Sequence, residues 1–192
     1  DLNNIKGNLD VYLFNTRIFA EDIDINLYAI GKDNDGKTTN TARNINIYGA
    51  NNGSTVISSG LQGYGFKFMG GLTTTTNDKG EVTGTSKVAG SVSMDRITVS
   101  DMIGGAIMTD AASIVSGSNI NFVDGTLSNN YNGADGGAVV SRNGSGSGVD
   151  KADEGTFTFT NTLFANNYAG HNGGAISEGK SVTVTASTFA NN

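Results

Sequence analysis

The single histidine, His171, is the first residue to consider for chemistry, because imidazole is the commonest general base and metal ligand near neutral pH. The chain has no cysteine, and no carboxylates cluster around His171 in the sequence, so a zinc site lacks ligands. A serine nucleophile would need this histidine as its base, and the sequence contains no G-x-S-x-G elbow. We therefore predict that His171 is an exposed loop residue available for contact with a partner.

Carboxylates are the next candidates, because glycoside hydrolysis needs two of them flanking the scissile bond, and polysaccharide lyases need acidic calcium ligands with a basic group. Within the repeat region, Asp95-Arg96 with nearby Asp101 is the compact grouping of acid and base. The spacing of six residues from Asp95 to Asp101 does not place both carboxylates on one face of a predicted strand. We predict a solvated strand end and no catalytic residue, and we keep a polysaccharide lyase or glycosidase as the alternative function.

Two acidic segments could attract a cation. Residues 33–36 read D-N-D-G, but the spacing of an EF-hand loop fails and no glutamate follows at the required distance. Asp150, Asp153 and Glu154 surround Lys151, and solvation of a loop explains them equally well. We predict no cofactor and no metal centre, and calcium binding by the loops stays open.

The elements that position these residues are predicted to be short strands. Apolar residues alternate with polar ones in residues 23–27, 44–48 and 66–68, a period of two that indicates strands. These runs start 22 and then 21 residues apart when counted from Ile23, Ile45 and Phe66, which predicts one strand in each successive round of a repeat. With the later runs, this spacing predicts eight rounds.

From residue 91 onward the repeat can be aligned in full. Four strands begin their apolar alternation at Val92, Ile120, Phe157 and Val182. Seven residues after each of these stands a second apolar residue, respectively Val99, Leu127, Phe164 and Phe189. Steps of 28, 37 and 25 residues separate the first positions, so insertions change the length of a round while the register of the strands is kept.

Two tetrads accompany these strands. A G-G-A-[IV] tetrad occurs three times, as Gly104-Gly105-Ala106-Ile107, Gly136-Gly137-Ala138-Val139 and Gly173-Gly174-Ala175-Ile176. An F-x-x-N tetrad occurs twice, from Phe164 to Asn167 and from Phe189 to Asn192. Recurrence at such intervals is the signature of a solenoid. The glycines are predicted to form a bend into a strand, and the apolar members of both tetrads are predicted to face the interior.

The predicted fold is all-β, a parallel β-helix (β-solenoid) in which like residues of successive rounds stack about 4.8 Å apart. The right-handed sense is favoured for parallel connections, and the absence of proline agrees with a continuous ladder. We predict a single β-helix over residues 1–192, with divergent rounds in 1–90 and tetrad-bearing rounds in 91–192. Insertions are predicted near 72–88 and 142–154. Because the sequence stops directly after an F-A-N-N tetrad, we expect a piece of a longer array.

Composition excludes several classes of partner. The net charge is −6 with a pI near 4.6, and lysine and arginine form no run that could neutralise phosphates, so no nucleic acid or anionic membrane surface is expected as a partner. No stretch approaches the apolar length of a transmembrane helix, so we predict no direct insertion of this segment into a membrane.

The ordered recurrence of G-G-A-[IV] and F-x-x-N resembles the repeat of chlamydial polymorphic membrane proteins and of related bacterial surface proteins. The resemblance covers the second half, and it departs from the pattern where Leu127 replaces Phe and where Met102 replaces Asn. It implies an autotransporter passenger domain with a right-handed parallel β-helix. It further implies an adhesin at the bacterial cell surface or outer membrane, or secreted, whose partner is a host-cell receptor protein or a glycan.

Contact with such a partner is predicted to fall on loops, because buried repeat residues cannot touch a receptor. The favoured segments are residues 142–154, 72–88 and 168–172, and Tyr168 is the preferred aromatic anchor. The predicted binding residues are Tyr168, His171, Asn172, Arg142, Asp150 and Lys151. A structural stalk or a self-associating module is the second alternative.

Overall fold

A computed structural model describes residues 6–20, 22–51, 53–58, 60, 63–88, 90–109, 119–141, 155–177 and 181–192. These residues contain 23 strands and no helix. Most of the strands belong to three parallel sheets, and the chain visits the sheets repeatedly in the order first, second, third. We call one such passage a round.

The first two sheets have six strands each. The first contains β1 (Leu9–Tyr12), β6 (Asn44–Tyr48), β11 (Ser91–Asp95), β14 (Asn119–Val123), β18 (Thr156–Thr160) and β22 (Ser181–Thr185). The second contains β2 (Arg17–Phe19), β7 (Ser54–Ile57), β12 (Ile97–Ser100), β15 (Thr126–Ser128), β19 (Leu163–Ala165) and β23 (Thr188–Ala190).

Among the described residues the third sheet has five strands, one fewer than each of the first two sheets. Its members are β3 (Ile23–Asn26), β8 (Phe66–Met69), β13 (Ile107–Thr109), β17 (Val139–Ser141) and β21 (Ile176–Ser177). A short parallel pair, β16 (Tyr131–Asn132) and β20 (Tyr168–Ala169), lies between the second and third sheets in the sequence of a round. Two antiparallel hairpins complete the set, β4 (Tyr28–Lys32) with β5 (Thr38–Ala42), and β9 (Gly71–Thr76) with β10 (Val82–Val88).

The aligned repeat of residues 91–192 pairs in the predicted register. Val92 is opposite Ile120, then Phe157 and Val182 follow in the same column of the first sheet. Val99, Leu127, Phe164 and Phe189 form the matching column of the second sheet. Ile107, Val139 and Ile176 do so in the third. Varied insertions therefore leave the stacking of these strands unchanged.

The predicted alignment of the earlier runs was wrong. Ile23 does not pair with Ile45; it pairs with Phe66, in the third sheet, whereas Ile45 pairs with Leu9 and Val92 in the first. The sheets accordingly hold up to six strands, not the eight that the spacing predicted. Alternation identifies a strand but does not show to which sheet the strand belongs. Hairpin β4–β5 lies between Ile23 in the third sheet and Ile45 in the first, and it lengthens this interval to about the length of a full round.

The three sheets share one hydrophobic core. Inward side chains alternate with outward ones, as in β18, where Phe157 and Phe159 are fully buried between partly exposed threonines. Phe164 of the second sheet and Ile107 of the third belong to the same cluster of buried residues. Burial of aliphatic and aromatic side chains contributes roughly 1.5 to 3 kcal/mol each, so these columns are the main source of stability.

Glycine is required at the bend before the third sheet. Gly136 and Gly173 have φ of 72° and 66°, in the left-handed region that glycine adopts without strain. A Cβ at these positions would lie 2.3 Å and 2.2 Å from the carbonyl oxygens of Val139 and Ile176. The first glycine of these two tetrads therefore allows the backbone to fold closely over the strand that follows.

Insertions leave the stack at one corner, after the third-sheet strand of a round and before the next first-sheet strand. Both hairpins emerge there, and they touch through Asn40, whose N–H donates to Thr73 Oγ1 (3.2 Å), while the Thr73 hydroxyl donates to the Asn40 carbonyl (3.1 Å). Each hairpin has its own turn, and the two turns are of the same kind. Asp33 Oδ1 in the first hairpin and Asn77 Oδ1 in the second each accept two backbone N–H groups. The predicted insertion at 142–154 lies outside the described residues.

Candidate binding surface

An exposed row of large side chains runs along the stack between the second and third sheets. Tyr131 on β16 pairs with Tyr168 on β20, and Ile103 forms a bridge to Tyr131 from the preceding round. Ile103 is 40% exposed, Tyr131 42% and Tyr168 62%. The two tyrosine rings stack with centroids 5.6 Å apart and planes 5° from parallel. We call these three residues the tyrosine ridge.

The local sequence explains why the tyrosines point outward. Each follows an asparagine with φ of 56°, Asn129 or Asn166, and then a buried asparagine, Asn130 or Asn167. Asparagine tolerates the left-handed conformation better than other residues with a side chain. This turn places the second asparagine inward and the following tyrosine outward in both rounds, so the rings fall into register.

A ladder of buried amides anchors the ridge from inside. Asn130 Nδ2 donates to Asn167 Oδ1 at 3.0 Å, and Asn167 Nδ2 donates to Asn192 Oδ1 at 2.8 Å. The same nitrogens also donate to the backbone carbonyls of Val99 and Leu127. The Asn167 oxygen accepts the Asn130 N–H at 3.1 Å as well. Buried amides need such partners, so the F-x-x-N asparagine holds consecutive rounds together.

Two stacked loops, residues 133–136 and 170–173, flank the ridge. Asp135 Oδ1 accepts from both the backbone N–H and Nδ2 of Asn172, at 2.9 and 3.1 Å. His171 is exposed, and its backbone N–H donates to the Ala134 carbonyl at 3.0 Å. A Cβ on Gly170 would lie 2.3 Å from the Gly133 carbonyl oxygen, so the glycine permits this close approach of the loops.

The structure brings three predicted binding residues together. Tyr168, His171 and Asn172 lie on the ridge and its flanking loop, and all three are exposed. Arg142, Asp150 and Lys151 lie outside the described residues. Hairpin β9–β10, which covers the favoured segment 72–88, stands at the insertion corner and not between the second and third sheets. The surface therefore depends on residues 168–172 and on neighbours that the sequence analysis did not name.

Tyr131 and Ile103 are those missed neighbours. Tyr131 follows Asn130 as Tyr168 follows Asn167, so the repeat alignment held the signal for Tyr131. Ile103 follows Met102, which stands at the ladder position but is not asparagine, and this departure hid the correspondence. Aligning the residue after each ladder position would have found the whole ridge.

The carboxylates considered for glycoside or lyase chemistry do not meet. Asp95 ends β11 and forms an ion pair with Arg96, whose Nε is 3.1 Å from Asp95 Oδ2. Asp101 lies beyond the far end of β12 (Ile97–Ser100). A four-residue strand spans about 13 Å, whereas the two carboxyl groups of glycosidases lie roughly 5 to 10 Å apart. This grouping is a strand-end ion pair with a separate acidic turn residue.

A second polar cluster joins the first two rounds on the outer face of the third sheet. The Tyr64 hydroxyl donates to Asp24 Oδ1, Lys67 Nζ lies 3.2 Å from the same oxygen, and the ammonium lies 4.9 Å from the Tyr64 ring centroid. Burial, then the hydrogen bond to Asp24, raises the pKa of Tyr64. The hydrogen bond to Tyr64, then that to Asp24, raises the pKa of Lys67. A general base works best with a pKa near the operating pH, and both shifts move the pKa away from it. We therefore interpret the cluster as a structural contact between β3 and β8, and we call it the clamp.

This clamp predicts a loss of stability in alkali. Both folded pKa values lie above their unfolded values, so the contribution is present below about pH 10 and disappears as pH rises through the folded pKa values. We expect Tyr64→Phe to be less stable than the wild type at pH 8, and this difference to shrink at pH 11. Urea unfolding followed by circular dichroism measures both values. Tyr12→Phe, outside the clamp, is the control, and an unchanged difference at pH 11 would contradict the assignment.

Metal ligation is not supported in the part of the chain that the structure describes. No group of three or more histidine, aspartate or glutamate side chains there could hold an ion. Asp33, which opens the D-N-D-G segment considered for calcium, accepts the N–H groups of Asp35 and Lys37 at 3.0 and 2.8 Å within its hairpin turn. Its side chain thus has a structural role in the turn.

Comparison with known proteins gives no relative: no family model, no curated protein and no solved structure matches this chain. The resemblance to polymorphic membrane proteins therefore stays a prediction. Among the described residues, no helix is long and apolar enough to cross a membrane.

Proposed function

We propose that this chain is a right-handed parallel β-helix that acts as a bacterial surface or secreted adhesin, with the tyrosine ridge as its contact surface. The helix is supported by the fixed order in which the chain visits three parallel sheets and by the core they share. Right-handed connections predominate between parallel strands of one sheet. The tetrads of residues 91–192 support the surface-adhesin assignment.

The observation that carries the proposal is the pre-stacked pair of exposed tyrosines. Tyrosine is enriched at the energetic centres of protein interfaces, because it offers a large rigid surface together with a hydroxyl. Stacking of Tyr131 on Tyr168 fixes both rings before a partner arrives. Less side-chain freedom is then lost on binding, which favours affinity. His171 and Asn172 add hydrogen-bonding groups beside the rings.

Charge defines the class of partner. Asp135 is the sole Asp, Glu, Lys or Arg among Ile103 and residues 129–136 and 166–173. A strongly anionic ligand would find no lysine or arginine here, and this argues against sulfated or phosphorylated partners. We propose a host-cell receptor protein or a neutral glycan, bound through ring faces and edges and through amide and hydroxyl groups.

We propose no catalytic activity for this chain. Asp95 and Asp101 lie at opposite ends of β12, and the pKa values of Tyr64 and Lys67 move away from neutrality. Neither arrangement supplies the paired acid and base that glycoside hydrolysis or lyase chemistry requires.

The test is attachment of fluorescently labelled protein to cultured epithelial cells. We expect the double variant Tyr131→Ser/Tyr168→Ser to reduce bound protein at least tenfold, because loss of a central tyrosine costs about 2 kcal/mol in protein interfaces. The matched control is Tyr12→Ser/Tyr48→Ser, which removes another stacked pair, with centroids 5.0 Å apart, from the outer face of the first sheet. This control should bind within twofold of the wild type.

Equal losses in both double variants would show that the ridge has no special role. Wild-type protein that binds cells no better than an unrelated β-sheet protein would contradict the adhesin proposal itself. A glycan array read with the same two variants then separates a glycan from a protein receptor.

A further inference from the structure

We propose that Tyr131 and Tyr168 form a site of oxidative cross-linking, at which a dityrosine bond joins two consecutive rounds. The oxidant is hydrogen peroxide, used by a haem peroxidase that is supplied from outside the chain. This chemistry needs only the two rings and their register, and no contact with a receptor. It therefore stands independently of adhesion.

The two rings are held in contact before any oxidant arrives. Tyr131 and Tyr168 are opposite each other in the parallel pair of β16 and β20, and their ring centroids lie 5.6 Å apart with planes 5° from parallel. Backbone hydrogen bonds fix both positions. The Tyr131 N–H donates to the Met102 carbonyl, and the Tyr168 N–H donates to the Asn130 carbonyl, each at 2.8 Å. A radical formed on one ring thus meets the other ring without diffusion.

Both rings are open to an oxidant. Tyr131 stays 42% exposed although Ile103 and Tyr168 flank it on either side, so its exposure belongs to the outer face of the stack. Tyr168 is also exposed. A Cβ on Gly133 would lie 3.6 Å from the Tyr131 hydroxyl oxygen and 3.9 Å from Cε1. The glycine therefore leaves space beside one of the two ortho carbons at which tyrosines couple.

Coupling is a two-electron oxidation of the tyrosine pair. Each phenol gives up one electron and its hydroxyl proton, which leaves a neutral radical with spin density on the ortho carbons. The two radicals form one carbon–carbon bond between ortho carbons, and the ring hydrogens at those carbons then move through solvent to the two oxygens. Hydrogen peroxide takes up the two electrons and two protons, and it leaves as two molecules of water. Haem supplies the one-electron steps.

The register of the rounds favours coupling within one molecule. Groups held in contact react at an effective concentration far above that of a protein in solution. Among the described residues, neither Tyr28 nor Tyr64 stacks on another tyrosine. The Tyr64 hydroxyl donates to Asp24, and the Tyr28 ring packs where a Cβ on Gly71 would lie. These two tyrosines consequently lack a partner for direct coupling.

The bond changes the stability of the rounds and the freedom of the ridge. Tyr131 and Tyr168 are 37 residues apart in the sequence, so their bond closes a loop and restricts the unfolded chain in the manner of a disulfide. It also removes the independent rotation of the two rings. Oxidation thereby converts a stack held by contact into a covalent connection between rounds.

Tryptic mapping after treatment with a haem peroxidase and hydrogen peroxide tests the proposal. Cleavage after lysine and arginine places Tyr131 as the sole tyrosine of residues 97–142, and Tyr168 as the sole tyrosine of residues 152–180. We expect the monomer band of the treated wild-type protein to yield these two peptides joined, lighter than their sum by two hydrogen atoms. Dilution of the protein should not lower the yield per molecule, because the coupling is intramolecular.

The matched control is Tyr168→Phe/Thr158→Tyr, which keeps one tyrosine in the second peptide but moves it to the outer face of β18 in the first sheet. We expect this variant to give at least tenfold less joined peptide. Tyr131→Phe/Asn121→Tyr makes the equivalent move in the first peptide, to the outer face of β14. It replaces the first control if circular dichroism shows that the first control has lost its β spectrum.

Two results would overturn the proposal. One is wild-type protein whose tyrosines are oxidised without formation of the joined peptide in the monomer band. The other is a control that forms as much joined peptide as the wild type, because the stack would then not direct the coupling.

Discussion

Phe164→Asp is expected to lower the free energy of unfolding by more than about 4 kcal/mol, as large core truncations with a buried charge do. Phe164 is fully buried, stacks on Phe189 with centroids 4.5 Å apart, and meets Phe159 edge-on at 5.0 Å. Aspartate would lose this packing and would place a carboxylate where the neighbours are apolar. Urea unfolding followed by circular dichroism measures the change.

Phe189→Asp is the informative control for this prediction. Phe189 stands one round later in the same column but is half exposed, so its carboxylate can stay hydrated. We expect it to cost about 1 kcal/mol, because a half-exposed side chain buries less apolar surface than Phe164 does. Phe164→Leu copies the residue found at Leu127 and should also be mild. Equal losses for Phe164→Asp and Phe189→Asp would show that the core column is assigned incorrectly.

The second half of the fold could be predicted because its sequence repeats at several positions at once. Val92, Ile120, Phe157 and Val182 each have an apolar partner seven residues later, and this double constraint fixes both sheet and register. The first half lacks it. The runs at Ile23, Ile45 and Phe66 show alternation alone. This pattern does not distinguish two strands separated by a hairpin from two strands separated by a full round.

The candidate surface was predictable only in part. Tyr168 could be predicted as a contact residue because it lies between two tetrads. The clamp of Asp24, Tyr64 and Lys67 could not be found, because it depends on the pairing of Asp24 with Lys67 across β3 and β8. Forty-three positions separate the two paired residues in the sequence, and no local pattern connects them. Contacts between rounds follow from register, and register in this region required the structure.

The repeated asparagine-tyrosine turn contributes both to the fold and to the exposed surface, because identical residues stack in successive rounds. The same turn sends Asn167 inward and Tyr168 outward, so each repeat of the turn lengthens the amide ladder and the tyrosine ridge at once. A change to the asparagine should therefore disturb the ring stack as well as stability. This coupling provides a second readout for the ladder.

Asn167→Ala is expected to cost about 3 to 5 kcal/mol, because each buried polar group left without a partner costs about 1 to 3 kcal/mol. The Asn130 N–H and the Leu127 carbonyl lose the hydrogen bonds that the Asn167 side chain now makes. The Asn130 side-chain amide loses one of its two bonds and keeps the one to the Val99 carbonyl. Urea unfolding measures the loss. Amide hydrogen exchange should show faster exchange at Asn130 in the variant.

Asn166→Gly is the matched control for the ladder. Asn166 is the neighbouring asparagine, exposed and with φ of 56°, a conformation that glycine adopts freely. Its side chain makes two exposed hydrogen bonds, donating to Asn129 Oδ1 at 3.3 Å and accepting from Asn191 Nδ2 at 3.4 Å. Because both lie at the surface, we expect a change below about 0.5 kcal/mol. If Asn166→Gly proves as damaging as Asn167→Ala, the turn conformation and not the buried amide ladder would hold the rounds together. Unchanged exchange at Asn130 in Asn167→Ala would likewise contradict the ladder, since its N–H would then have a different acceptor.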